Sequence, residues 1–349
     1  ATTEIYTLSL HDALPIYPVH PGFSELVGQH HATSYLSLAL ASDRLAHGLI
    51  FAGPTGVGKS LAARLLASIF LAEDPGDRES IARARRLIEA GTHPDFHPVT
   101  RDLVRQLEGS ERSKASELSV KVIRAFVVEP AGKRSVLGRG KVFSIIDASD
   151  MNAASQNSLL KTLEEPPGKA LIILLTDQPG SLVPTIRSRC QTVQFNPLSL
   201  DEATRLVVTQ GGDPSLARSA AELAQGSPGV ALQYLAEGVV LDAKRWFDLM
   251  DTGTQEEIAG FLRASADALA EKTMERNPDA SKDDATRAVI IRWLALGAQR
   301  LRTTLASTPD PGRVCDRIDA LRRAEVLLDA RVSIPLTLRQ LGGLLALRD

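Results

Sequence analysis

The chain has 349 residues, 44% hydrophobic and 23% charged, which is enough for two or three domains with real cores. A formal net charge of -2 argues against a protein that grips nucleic acid by itself through a global basic field, and two distant cysteines rule out a disulfide framework or a four-cysteine metal site. No stretch has the apolar length of a membrane span or the pattern of a secretory signal, so a cytoplasmic protein without membrane contact is expected.

Residues 1–22 show no clear period and end in a Pro-rich stretch, which reads as a tail or an artefact. From Phe23 a helical pattern runs through Leu36, Leu38 and Leu40. The apolar run Gly48 to Ala52 then has the length and flanks of a buried parallel strand. Two further strands are predicted at Val142 to Ile146 and Leu171 to Leu175, with a helical stretch from Gln156 to Glu164 between them. Strand, helix, strand at this spacing specifies a parallel sheet with crossover helices. Between Glu73 and Gly140 the pattern is looser, and its polar stretch Glu108 to Glu117 reads as an exposed loop.

After Phe195-Asn196-Pro197 only helices are predicted. Short ones, broken by Gly211-Gly212 and by Gly226 to Gly229, give way to long amphipathic stretches such as Ala288 to Leu305 and Ile318 to Ala330. The latter carry no catalytic-looking constellation and suggest packing, including packing between subunits.

Chemistry concentrates at Gly53-Pro54-Thr55-Gly56-Val57-Gly58-Lys59-Ser60, a G-x-x-x-x-G-K-S match between a predicted strand and a predicted helix. Glycines let backbone amides face phosphates, and the helix N-terminus adds positive potential. Lys59 reaches the outer phosphates, and Ser60 is placed to ligate magnesium. Asp147 ends the second predicted strand, where such a site holds its metal, although a strand-end aspartate can equally cap a helix. His93 and His97 flank Pro94-Asp95 without further ligands and read as structural.

The stretch Lys141 to Pro167, with Leu-Leu-Lys-Thr-Leu-Glu-Glu-Pro-Pro at 159–167, closely resembles the second acidic motif and following helix of bacterial DNA polymerase III clamp-loader subunits, which are AAA+ proteins. Ser188-Arg189-Cys190 resembles the SRC motif of that family, and Gly91 to Asp95 a hallmark of its delta-prime branch. The resemblance covers about Leu26 to Gly229.

It implies an α/β AAA+ P-loop domain with a parallel sheet at 23–197, a helical lid at 198–240 and an all-α collar at 241–349. It also implies ATP with magnesium as the cofactor, the metal being held through Ser60 and Asp147, with Thr176 at the sensor position and Arg189 as a finger offered to ATP on a neighbouring subunit. The implied partners are gamma/tau and delta subunits, the sliding clamp, and primer-template DNA reached through the complex.

Three departures from the family pattern are informative. Ala148 stands where hydrolysing AAA+ members usually carry the glutamate that orients water, and in Gly226-Ser227-Pro228-Gly229 the last glycine stands where motor subunits carry an arginine after Gly-Ser-Leu. The stretch Glu79 to Arg86, which resembles the site of a four-cysteine zinc module, has no cysteine, so no zinc is expected. Arg83, Arg85 and Arg86 in that stretch fit a solvated helix face. Together these features imply a ring member that binds nucleotide without turning it over; the alternative is an active gamma/tau-type ATPase.

Overall fold

The computed structural model describes residues 19–108, 117–276 and 281–346. The expected polar loop lies, from 109 to 116, outside the described residues, as does the expected tail up to 18. Residues 19–22 are part of a folded unit: a short 3-10 turn spans Pro21–Phe23, the His20 amide donates to Ser37 Oγ at 2.8 Å, and Phe23 is buried. The chain divides into two compact units, one of residues 1–211 with 224–231 and one of 212–223 with 232–349. Segment 224–231, expected in the lid, thus clusters with the sheet.

The first unit contains helices α1 (His30–Ala41), α2 (Lys59–Phe70) and α3 (Arg78–Glu89), with strand β1 (Gly48–Ala52) between the first two. Strand β2 (Phe96–Val99) and helices α4 (Leu103–Glu108), α5 (Val120–Ile123) and α6 (Glu129–Ala131) follow, the last two joined by a π-turn. Then come β3 (Lys141–Ile145), α7 (Ala153–Glu164), β4 (Ala170–Thr176), α8 (Pro184–Arg187) and β5 (Gln191–Gln194). The five strands form one parallel sheet of order β2-β3-β4-β1-β5.

The unbroken apolar runs follow from burial on both faces. Successive side chains of a strand point to opposite sides, so a covered central strand is apolar throughout. In β1, Leu49 and Phe51 join one core with Leu65, Leu66 and Ile69 of α2, while Ile50 and Ala52 join the other with Val122 of α5 and Leu159 of α7. Strands β1, β3 and β4 are buried along their whole lengths.

Helix α3 occupies the stretch compared with a zinc module. Asp77 caps it by accepting from the amides of Glu79 and Ser80. Arg85 forms a two-pronged ion pair with Glu25 and a second bond to Glu89 at 2.7 Å, and Arg83 lies 3.7 Å from Glu73. Both arginines thus have carboxylate partners within the chain.

The Gly91 to Asp95 segment builds a loop. Asp95 is fully buried, and its two carboxylate oxygens accept from the Val136 and Leu137 amides at 2.8 Å each. The His93 ring stays close, with Nδ1 accepting from the Asp95 amide at 3.2 Å, and burial holds the imidazole below its ordinary range. His97 stacks on Phe143 with ring centroids 4.9 Å apart.

The second unit is helical: α9 (Leu200–Thr209) precedes it, and α10 (Pro214–Leu223), the end of α11 (Pro228–Glu237), α12 (Val239–Thr252), α13 (Gln255–Arg276), α14 (Lys282–Thr304), α15 (Pro311–Asp329) and α16 (Ile334–Ala346) make it up. Trp246 stacks on Phe261 at 5.7 Å, and Phe261 meets Trp293 edge-on at 5.3 Å. Both indoles are satisfied: Trp246 Nε1 donates to the Trp293 carbonyl at 2.9 Å and Trp293 Nε1 to Ser265 Oγ at 2.8 Å. The amphipathic faces of α12 to α16 therefore close on one another within the chain. No described helix is long and apolar enough to cross a membrane.

Candidate nucleotide site and arginine edge

The loop 53–58 leaves β1 at its C-terminal end and enters α2 through Gly58, a left-handed N-cap with φ of 106° and no side-chain cap. The first amides of α2 therefore have no intrahelical acceptor and point toward the loop, which suits phosphate oxygens. Lys59 Nζ donates to the carbonyls of Gly53 and Pro54 at 2.5 and 2.7 Å. Burial pulls its ammonium below the ordinary lysine range, and the carboxylates of Asp177 and Asp147 oppose that shift. The donors present suit a nucleoside triphosphate: the loop amides and Lys59 would face its phosphates, and Ser60 and Asp147 are the residues that would hold magnesium.

Asp147 adopts a left-handed conformation, φ 52° and ψ 54°, at the turn from β3 into the 3-10 turn Ala148–Asp150. Its neighbour Ala148 is fully buried in the core beside Ile145 and Leu182 and offers the site no carboxylate. Asp150 does not stand in for it, because its carboxylate is paired with Arg101. Thr176 is buried at the end of β4, where its carbonyl accepts from the Gly53 amide at 3.1 Å and its hydroxyl from the Gln178 amide at 2.9 Å. The fold thus brings the P-loop, Asp147 and Thr176 to one edge of the sheet.

Residues from the 224–231 segment also reach this edge. Ser227 Oγ donates to the Thr55 carbonyl at 2.7 Å, and the Gly229 amide to the Gly56 carbonyl at 3.0 Å. Gly56 is required by its backbone conformation and contacts, and a side chain at Gly229 would be tight. A Cβ on Gly56, whose φ is 78°, would stand 2.5 Å from Ser227 Oγ, and one on Gly229 would stand 3.0 Å from the Gly56 Cα and carbonyl oxygen. These bonds use carbonyls of the loop and leave its amides to a phosphate.

Arg189 lies elsewhere. Its carbonyl is beside Gly48, the first residue of β1, where a Cβ on that glycine would approach it to 3.3 Å. The P-loop follows the other end of the same strand, about 13–16 Å away at the rise of an extended chain. Arg189 NH2 bonds Glu164 Oε1 at 2.6 Å, and NH1 donates to the Thr185 carbonyl at 3.1 Å and reaches Ser188 Oγ at 3.3 Å. The structure therefore separates Arg189 from the other predicted site residues.

Two residues of these edges were not singled out by sequence. Asp177 acts on Lys59 more strongly than Asp147 does. Its position directly after Thr176 at a strand end was the available signal. Gln156, almost fully buried, donates to the carbonyls of Met151 and Ser181 at 2.9 and 3.3 Å and accepts from the Val183 amide at 2.7 Å, which fixes the start of α8 against α7.

Cys190, next to Arg189, is buried, and burial pushes its thiol up to about 12. At pH 8 its thiolate is thus about 10⁴-fold scarcer than its thiol, whereas Cys315 is exposed. A thiol-alkylating reagent at pH 8 is expected to label Cys315 alone in the native chain and both cysteines in denaturant; mass spectrometry of the peptides gives the answer. Among the described residues no group of three or more His, Cys, Asp and Glu side chains is arranged to hold a metal ion.

A P-loop on the first strand of a parallel sheet of order 2-3-4-1-5, with an acidic strand end beside it, defines an AAA+-type nucleotide-binding fold. Residues 28–199, a little under half of the chain, match the family described as DNA polymerase III, delta subunit. It is 36% identical over 187 residues to DNA polymerase III subunit delta' of Bacillus subtilis, a stretch covering 53% of each chain. It is 32% identical over 222 residues to the subunit delta' of Escherichia coli, covering 62% of this chain and 60% of that one.

It also matches subunit tau/gamma of Haemophilus influenzae, 29% identical over 285 residues, which cover 75% of this chain and 38% of the relative. The matches thus span between about two fifths and three fifths of these relatives' lengths. A solved structure of a DNA polymerase III gamma subunit-related protein from Thermotoga maritima superposes with a TM-score of 0.47 at 17% identity, covering 89% of this chain and 98% of that one.

Proposed function

We propose that the chain is a delta-prime-type member of a DNA polymerase III clamp loader: a ring subunit that holds ATP with little or no turnover and offers Arg189 to ATP on the adjacent subunit. The observation that carries this reading is the placement of Arg189 at the opposite end of β1 from the chain's own P-loop. A guanidinium there is out of reach of its own nucleotide and, being 36% exposed, can meet another molecule's once it leaves its contacts within the chain. Its planar fork suits phosphate oxygens, and a charge-stabilising arginine supplied in trans is an established device of P-loop chemistry.

The weak-turnover part rests on Ala148, which leaves no glutamate to orient water, and on the engagement of Asp150 with Arg101. The gamma/tau-type ATPase reading is favoured by one observation, the complete cradle around Lys59 and Asp147. Gamma/tau and delta subunits, the sliding clamp and primed DNA are the partners that the proposal entails.

Isothermal titration and phosphate release by the purified chain test it. ATP-magnesium binding with negligible release is the expected result. Lys59→Ala should weaken binding by about 10- to 100-fold, the worth of a charge-assisted hydrogen bond. Robust release that disappears in Lys59→Ala would establish the ATPase reading instead.

A further inference from the structure

We infer that Glu164 holds Arg189 in a withdrawn position, so that this carboxylate sets how readily the guanidinium is given to a neighbour's nucleotide. The inference deepens the proposed function and rests on its reading of Arg189.

Both ends of the guanidinium fork are taken up by the chain itself. One terminal nitrogen bonds the Glu164 carboxylate at 2.6 Å, and the other turns back to the Thr185 carbonyl at 3.1 Å and to Ser188 Oγ at 3.3 Å. An arginine that donates to the carbonyl four residues before it lies along its own backbone instead of reaching outward. Glu164 is a firm anchor for this arrangement. It is the last residue of α7, and the preceding carbonyl, that of Leu163, lies 2.7 Å from His47 Nε2 at the entry to β1. Leu163 is itself buried, whereas the two charged side chains are 49% and 36% exposed.

A carboxylate and a phosphate oxygen are rivals for the same guanidinium edge. To bridge to a neighbour's phosphate, Arg189 must give up Glu164, and the cost of that exchange falls on the transition state that the finger stabilises. The exposure of the pair keeps the cost modest, so the contact is a brake of adjustable strength and not a block. Screening by salt should loosen it.

The test uses the complex reconstituted with its ATP-hydrolysing P-loop subunits, clamp and primed DNA, and compares Glu164→Gln, Arg189→Ala, the double variant and the unaltered chain. Glutamine keeps the size of the side chain and removes its charge. We expect Glu164→Gln to raise kcat two- to fivefold at low ionic strength with the KM for ATP unchanged, a gain that shrinks at about 0.5 M salt and vanishes in the Arg189→Ala background. In the isolated chain, Arg189 should also react faster with phenylglyoxal in Glu164→Gln.

A kcat equal to or below that of the unaltered chain, measured on a variant that assembles normally, overturns the inference, since a lower value would mean that Glu164 steers Arg189 into its working position. An Arg189→Ala variant of full activity overturns the finger reading itself, whatever Glu164→Gln does. Faster phenylglyoxal labelling would then report only that the ion pair exists.

Discussion

Replacing Arg189 by alanine is expected to lower the ATP hydrolysis of a reconstituted clamp-loader complex at the site facing this subunit by about 10³-fold or more, the scale of a trans-acting arginine finger. The stability of the isolated chain should move little, because the side chain is 36% exposed and its partners are surface groups. Lysine should not restore activity: an ammonium on a flexible stem cannot present two parallel donors. Single-turnover phosphate release at saturating ATP measures the effect on the chemical step, and thermal melting of the variant alone checks the fold. Under the proposed function, in which other ring members hold their own sites, a smaller loss in total steady-state ATPase than in clamp loading is the expected pattern. Undiminished loading by the alanine variant would remove Arg189 from the mechanism.

Trp246→Ala should destabilise the helical unit by about 3–5 kcal/mol, the usual cost of emptying a buried aromatic position. The indole is fully buried, stacks on Phe261 and donates to the Trp293 carbonyl. Alanine loses the packing and the indole's hydrogen bond to that carbonyl. Against a typical domain stability of about 5–15 kcal/mol, the loss is large enough to separate the unfolding of the two units. The chain has two tryptophans, Trp246 and Trp293, and both lie in the helical unit. The emission of Trp293 therefore reports that unit alone as urea is raised. Trp246→Phe, which keeps a ring against Phe261 and loses the N–H, should cost less. Coincident transitions at the unaltered midpoint for Trp246→Ala would show that the cavity is absorbed by repacking.

The parts of the fold that sequence made legible were those whose cause is local. The P-loop is contiguous, and its chemistry depends on spacing; Gly53 to Ser60 could be read outright. The three central strands announced themselves because burial on both faces forces continuous apolar runs. The two edge strands did not. In β2 the sequence Phe96-His97-Pro98-Val99 carries a proline, which an edge tolerates because one side of the strand needs no amide donor. In β5 only Val193 of Gln191-Thr192-Val193-Gln194 is buried, too short an alternation to stand out.

What sequence reached least well was convergence. Gln156 reads as an ordinary helix residue until Met151, Ser181 and Val183 are seen to meet its amide. Gly229 was visible as a missing arginine, but its contact with Gly56, 173 positions earlier, depends on the chain folding back, which no local pattern encodes. Arg189 could be picked out by its motif, while its tie to Glu164 could not, since the two are joined through a strand and a helix between them.

The buried strand β1 has one more consequence. It is five residues long, hydrogen-bonded to β4 on one side and β5 on the other, with the phosphate cradle leaving one end and Arg189 beside the other. A strand held in this way neither stretches nor bends appreciably, so it acts as a ruler. Under the proposed function, the distance between a nucleotide in the chain's own cradle and one met by Arg189 would be set by the length of this single strand.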